Sequence, residues 1–308
     1  MHMGKQTPTC DAPPKIIDWL KAVATSPQHA FTFDDVLFLK LKAATCRSSD
    51  YAGLKDILFV VMCSKDKQER IGWMLEGWLH WVDKQDVVLL AGERLPGYNI
   101  TMVPPLAVDG YVNQKFPNPN NYEKANLRQL KALYWLGSHR TLSTHKWVFF
   151  VDDDTFVNVP KLVSFVGAIP PSLPLLIGHI WTSPGWSWPS GGAGMLMSMR
   201  AVQQVSSVLF SPRCESDSHL NDVTLGKCTV PANVTKVHSS LFLPEASMLH
   251  NAPSGTLPRL DAAMVVTTHR FVVREQMRTA TCLVADRSSW PHESCVNATL
   301  KCGAVCLP

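Results

Sequence analysis

The sequence contains no apolar run of the roughly eighteen residues needed to cross a bilayer. It does not open on a basic segment followed by a short apolar stretch, so no secretory leader is legible. Basic runs are also missing: the net charge is +4 and dispersed, which argues against a surface that tracks a nucleic-acid backbone. No Gly-Lys-Ser/Thr follows its glycine cluster, which excludes a phosphate-binding P-loop. Internal repeats and low-complexity segments are absent as well. The opening Met1-His2-Met3-Gly4 reads as an expression scar, so any native targeting segment or membrane anchor is expected to have been cut away.

What is present is an ordinary globular composition, 46% hydrophobic and 18% charged over 308 residues, enough for one large domain or two small ones. Nine cysteines accompany three glycosylation sequons, at Asn99-Ile100-Thr101, Asn233-Val234-Thr235 and Asn297-Ala298-Thr299. Together they point to an oxidising, luminal setting. The odd count leaves at least one thiol unpaired, and Cys63, at the end of the strand-like Ile57 to Cys63, is the expected buried free thiol.

Residues 1–50, with Pro8, Pro13, Pro14 and Pro27, read as a stem; 51–275 as the main domain; and 276–308 as a cysteine-rich tail with disulfide rather than zinc spacing. Within the domain, Ile57 to Cys63 reads as a strand, Gln68 to Val82 as a helix and Val87 to Ala91 as a second strand, a βαβ opening. A helix over Tyr122 to His139, a helix over Pro160 to Val166, a strand over Leu175 to Gly178 and a Trp-rich loop from His179 to Pro189 follow. Alternating strands and helices predict an α/β fold, a mostly parallel central sheet with helices on both faces.

Val148-Phe149-Phe150-Val151 runs directly into Asp152-Asp153-Asp154. An apolar run ending in three acids predicts a buried strand whose carboxyl end carries them, the edge where open α/β sheets bind ligands. Adjacent carboxylates repel as they lose water, and a divalent cation relieves that repulsion while leaving room for phosphate oxygens. A solvated acidic turn is the plainer alternative. Ser190-Gly191-Gly192-Ala193-Gly194 allows close backbone approach to a ligand, or is simply a structural turn. Asp222-Val223-Thr224-Leu225-Gly226 lies between Cys214 and Cys228. A disulfide joining those cysteines would close a loop worth about 3 kcal/mol in the chain-entropy picture. Asp222 also suits a helix N-cap. His238 and His250 are the histidines weighed as additional metal ligands.

In this order the motifs resemble the fringe and core 1 galactosyltransferase group of β-1,3-glycosyltransferases, over about residues 55–252. The resemblance implies the GT-A (Rossmann-like) fold and inverting transfer of galactose or N-acetylglucosamine from a UDP-sugar to a glycan or glycoprotein acceptor, with Mn²⁺ or another divalent cation as cofactor. It implies a Golgi-lumen location, as a type II membrane protein in full-length form. By position it makes Asp222 the catalytic base and places Asp152 near the nucleotide ribose and donor sugar. Asp153 and Asp154 would face the metal. Ser64, Lys65 and Arg70 are implied as nucleotide contacts, and Gly191, Gly192 and Ala193 as neighbours of donor sugar and acceptor. The third metal ligand lies among His250, His238 and Glu245, with His250 preferred. Trp181, Trp186 and Trp188 are candidates for an acceptor platform, and core packing is expected of at least one. A nucleotide-sugar-binding pseudoenzyme, a carbohydrate-binding module and a metal-dependent phosphodiesterase are the rival classes.

Overall fold

The computed structural model describes residues 31–32, 52–63, 65–91, 121–138, 144–209, 211–214, 218, 220–244 and 265–270, with 274, 277, 278, 280 and 281. Twelve strands fall in this set: β1 (Phe31–Thr32), β2 (Ile57–Met62), β3 (Val87–Leu90), β4 (Trp147–Asp152), β5 (Phe156–Val157), β6 (Leu175–Gly178), β7 (Ile180–Ser183), β8 (Trp186–Pro189), β9 (Met195–Ser198), β10 (Thr235–His238), β11 (Phe242–Leu243) and β12 (Thr267–Thr268). The α-helices are α1 (Gln68–Glu76), α2 (Asn121–Ser138), α3 (Val159–Gly167), α4 (Met199–Val208) and α5 (Asn221–Cys228).

A 7-stranded sheet in the order β1-β10-β6-β9-β4-β2-β3 forms the centre. Every neighbouring pair is parallel except the two made by β9, which is antiparallel to β4 and to β6. Strand β2 shows why the central strands read as unbroken apolar runs. Its Ile57, Phe59 and Val61 enter one core with Ile71 and Met74 of α1 and Leu162 and Phe165 of α3. The alternating Leu58, Val60 and Met62 enter the other, with Leu133 and Leu136 of α2 and Val202 and Val205 of α4. Both faces are thus covered by helices, and both residue sets must be apolar.

Two local expectations change. The helix beginning at Gln68 stops at Glu76, where Gly77 takes φ −100° and ψ −128°, and a 3-10 turn, Trp78–Trp81, continues the chain. Glycine's low helix propensity permits that break. The Trp-rich segment expected as a loop is instead the β7–β8 hairpin, in which Trp181 faces Trp188. Gly185 at φ 82° makes its turn.

Strand order places the carboxyl ends of β4, β2 and β3 side by side, with the acid triplet starting at the end of β4 as expected. Beyond β4 the chain turns into β5, which pairs with β12 in a 3-stranded sheet, β11-β12-β5. This small sheet brings residues distant in sequence against the triplet.

Candidate active site

Asp152 ends β4, and Thr155 closes the turn after it. The Thr155 N–H donates to the Asp152 carbonyl at 3.1 Å, and the Asp152 N–H donates to Thr155 Oγ1 at 3.2 Å. The Thr155 hydroxyl in turn donates to the Gly192 carbonyl at 2.9 Å, tying the acid turn to the glycine loop. Trp78, fully buried, donates its indole N–H to the Thr155 carbonyl at 3.0 Å.

The three acids then diverge. Asp153 is buried and its Oδ1 accepts from Arg70 Nη1 at 3.0 Å; the same nitrogen donates to Asp154 Oδ2 at 2.9 Å. Asp154 Oδ1 lies 3.1 Å from Nε2 of His269, just beyond β12. Asp152, Asp154 and His269 each offer a ligand atom, all within 4.8 Å of one another. Arg70 thus bridges Asp153 and Asp154, while Asp152 and Asp154 share the candidate cation group.

Charge explains what this cluster can hold. Burial raises the Asp152 carboxyl to about 7; the His269 charge opposes that rise, and Asp154, Asp153 and Asp222 reinforce it. Burial would also raise Asp154, but the hydrogen bond and charge of His269, with the charge of Arg70, hold it below the usual carboxylate range. Burial disfavours the His269 cation, yet Asp154 above all, and Asp152, hold its pKa above the ordinary value. His269 Nδ1 lies 3.0 Å from the Pro244 carbonyl and can donate to it. Loss of the Nε2 proton to an incoming cation would leave hydrogen on Nδ1 and the Nε2 lone pair facing the acid cluster, the arrangement of a metal-ligating imidazole. Two carboxylates and one neutral imidazole form a donor set that fits a divalent cation such as Mn²⁺.

Gly192 is what admits His269. A methyl group at Gly192 would overlap the imidazole ring. The Thr267 hydroxyl donates to the Ala193 carbonyl, so β12 and the glycine loop are joined beside that contact.

On the other side of the loop stands Asp222, in the first turn of α5. It does not cap that helix, whose N-cap is Leu220. Its Oδ2 accepts from the Gly191 N–H at 3.2 Å and its Oδ1 from the Val223 N–H at 2.7 Å. Burial raises its pKa, and these two backbone donors restrain the rise. Helix α5 is held by the Cys214–Cys228 disulfide, by Asn126 Nδ2 donating to Thr224 Oγ1 at 3.1 Å, and by a hydrogen bond from Asn221 to Gln129.

Among the other expected residues, Ser64, the side chain of Lys65, Glu245 and His250 lie outside the described residues. His238 Nδ1 accepts from the Ile180 N–H at 3.1 Å, so this imidazole anchors the Trp hairpin and is not part of the cation group. His269 went unweighed among the histidines; the available signal was Val265-Val266-Thr267-Thr268, a short β-branched run delivering it. Arg128 was missed too: from α2 it donates to the Cys63 carbonyl at 2.7 Å, at the carboxyl end of β2. Cys63 is buried and free, its thiol donating to the Leu90 carbonyl at 3.3 Å.

Residues 52–277 match the model of the Fringe-like family. A mouse (Mus musculus) protein described as "Beta-1,3-glucosyltransferase" is 31% identical over 109 residues, which are 34% of this chain and 21% of that protein. The human (Homo sapiens) protein of the same description is 28% identical over 108 residues, again 34% of this chain and 21% of its own length. The match thus spans about a fifth of the length of these relatives.

Proposed function

The chain belongs to the Fringe-like family, and on that premise we propose that it is an inverting, metal-dependent β-1,3-glycosyltransferase moving a sugar from a UDP-sugar to a hydroxyl of a glycan or glycoprotein. The observation that carries this reading is the pair Gly191 and Gly192. Neighbours in sequence, one binds the Asp222 carboxylate and the other receives the ring of His269. A candidate base and a candidate cation site therefore face each other across one loop of a GT-A type fold.

In the proposed mechanism Asp152, Asp154 and His269 would hold the divalent cation, which would supply positive charge to the diphosphate leaving group. Asp222 takes the proton of the acceptor hydroxyl as its oxygen bonds to the anomeric carbon and the bond from that carbon to UDP breaks. The Gly191 and Val223 N–H groups fix the orientation of the Asp222 carboxylate, and burial makes it a stronger base than an exposed aspartate. Arg70, Ser64 and Lys65 are assigned to the donor side. Trp186 and Trp188, stacked at 4.2 Å, are assigned to the acceptor side. They line a cleft of about 490 Å³ with Ser218, Leu220, Val223 and Lys227.

Galactose and N-acetylglucosamine are the donors implied by motif resemblance, and the relatives' description adds glucose. A secretory-pathway, Golgi-lumen setting is supported by the Cys214–Cys228 disulfide and by the exposed Asn233 of its sequon. Among the described residues no helix is long and apolar enough to cross a membrane.

The test is UDP release from UDP-glucose, UDP-galactose and UDP-N-acetylglucosamine with and without Mn²⁺, alongside Asp154→Ala and Asp222→Asn. Mn²⁺-dependent release from one donor, lost in Asp154→Ala, supports the reading. Tight Mn²⁺-dependent UDP binding with no release, and no transfer to a panel of glycan and glycoprotein acceptors, points to a nucleotide-sugar-binding pseudoenzyme instead.

A further inference from the structure

We propose that Lys236 is a positioning residue for the acceptor side, its buried ammonium fixing the Trp hairpin and the Asp222 helix in one relation. Lys236 lies on β10, an interior strand between β1 and β6, and is only 4% exposed. Lysine is almost never so buried without a partner. Its Nζ donates to the Ser187 carbonyl at 2.8 Å and to the Gly226 carbonyl at 3.2 Å. Ser187 separates the two stacked tryptophans of β8, and Gly226 lies one helical turn beyond Asp222. One ammonium thus ties together the backbones of both elements, and it meets α5 near its carboxyl end, where the helix dipole favours a cation.

The two elements already touch. A Cβ on Gly226 would lie 2.6 Å from Trp188 Cβ and 2.7 Å from its Cα, so only glycine allows this approach. Helix α5 has eight residues and no side-chain cap at its start, so tethers set its direction. The walls of the cleft are β8, carrying Trp186 and Trp188, and α5, carrying Val223 and Lys227. Followed along the chain, the first leads to Gly191 and the second to Asp222, the two partners of the base contact. A shift of hairpin against helix would change the width of the cleft and the reach of Asp222 together. Burial lowers the Lys236 pKa to about 8. An apolar side chain would avoid that desolvation cost but could not bond either carbonyl.

The inference rests on Asp222 being the base, and its test keeps the two claims apart. Lys236→Met and Lys236→Gln are compared with the wild type for acceptor KM and kcat, for Mn²⁺-dependent UDP affinity by calorimetry, and for backbone hydrogen exchange. For Lys236→Met the expected result is a loss of acceptor kcat/KM of about 10- to 100-fold, the scale of a small misplacement of reacting groups. UDP affinity should stay within about twofold. Exchange should rise together in 180–189 and 221–228 and stay unchanged in 147–152. Lys236→Gln, keeping an amide donor, should fall between.

Unchanged acceptor kinetics in folded Lys236→Met would overturn the proposal, as would an equal loss of UDP affinity or exchange rising across the whole sheet. Should neither variant fold, wild-type exchange decides: one common opening of 180–189 and 221–228 supports the tether, and two distinct openings refute it. A wild type that turns over no UDP-sugar would sink the proposed function while leaving exchange to judge Lys236.

Discussion

Asp154 and Asp222 are carboxylates on two sides of one glycine loop, held in opposite ways. Asp154 is surrounded by charge: Arg70 at 2.9 Å on one oxygen and His269 at 3.1 Å on the other. Asp222 accepts two backbone N–H groups instead, from Gly191 and Val223. The consequence is visible in acidity. Asp154 is held below the ordinary carboxylate range by its cations, and Asp222 is raised by burial. One residue type is thus pushed in two directions on the two sides of one loop, the pattern by which differing environments give like acids different roles. In the proposed mechanism the acid with cationic partners goes to the metal side, and the one held only by neutral donors moves the proton.

The sharpest way to break this division is to exchange acidity for shape. Asp222→Asn keeps an oxygen acceptor but cannot take a proton, so transfer should fall by about 10²- to 10⁴-fold with UDP and Mn²⁺ affinity unchanged. Steady-state kinetics paired with calorimetry would read this; a matched loss of Mn²⁺–UDP affinity would put Asp222 on the metal side. His269→Ala should do the reverse. Mn²⁺ affinity should drop by at least about 10- to 100-fold, the range known for disturbing the groups around a metal ligand. Direct Mn²⁺ titration by electron paramagnetic resonance measures this without turnover, and an unaltered affinity would remove His269 from the cation group.

Gly192→Ala sharpens the comparison at the loop itself. Its methyl group would meet the His269 ring, whereas Gly191 beside it keeps its backbone bond to Asp222. The expected pattern is a loss of Mn²⁺ affinity of about tenfold, milder than removal of the imidazole, because the ring can shift rather than vanish. Gly191→Ala places a methyl in ordinary contact, 3.6 Å from Asp222 Cβ, and should leave Mn²⁺ affinity intact. Equal metal defects in the two variants would show that the loop does not separate the sites.

Sequence reading recovered the parts of this arrangement that local pattern records. Strands β2 and β4 were legible because both faces are buried and every residue but the terminal Asp152 is apolar. The acid triplet, the glycine loop and Asp222 were legible as contiguous motifs. His269 was not, since it reaches the triplet only through β12 pairing with β5, a long-range contact that leaves no local periodicity. The partition of the triplet was equally hidden. Consecutive residues in a turn point in different directions, and Arg70 on α1 bridges Asp153 and Asp154 while Asp152 and Asp154 share the candidate cation group with His269. The Trp hairpin read as a loop because Trp181 and Trp186 are exposed, at 38% and 40%, and interrupt the apolar alternation that marks a half-buried strand.

The smallest effect is expected at Cys63, which tests how dry the strand ends behind the acid cluster are. Its thiol is pushed up to about 12, first by burial and then by the charge of Asp153, with Arg128 opposing. An ordinary thiol ionises near 9.0, so between that pH and about 12 the unfolded chain loses this proton while the folded chain keeps it. The folded state then binds more protons than the unfolded one, and the contribution of Cys63 to stability, complete below the lower value, drains away as pH rises through this window. Cys63→Ala removes the titration while changing packing by an amount that does not depend on pH. The difference in unfolding free energy between wild type and variant should therefore be flat below pH 9 and narrow above it, and iodoacetamide at pH 8.5 should label Cys63 only after unfolding. A flat difference throughout, with Cys63 labelled in the folded protein, would mean that water reaches the end of β2, and the raised pKa of neighbouring Asp152 would lose its physical cause.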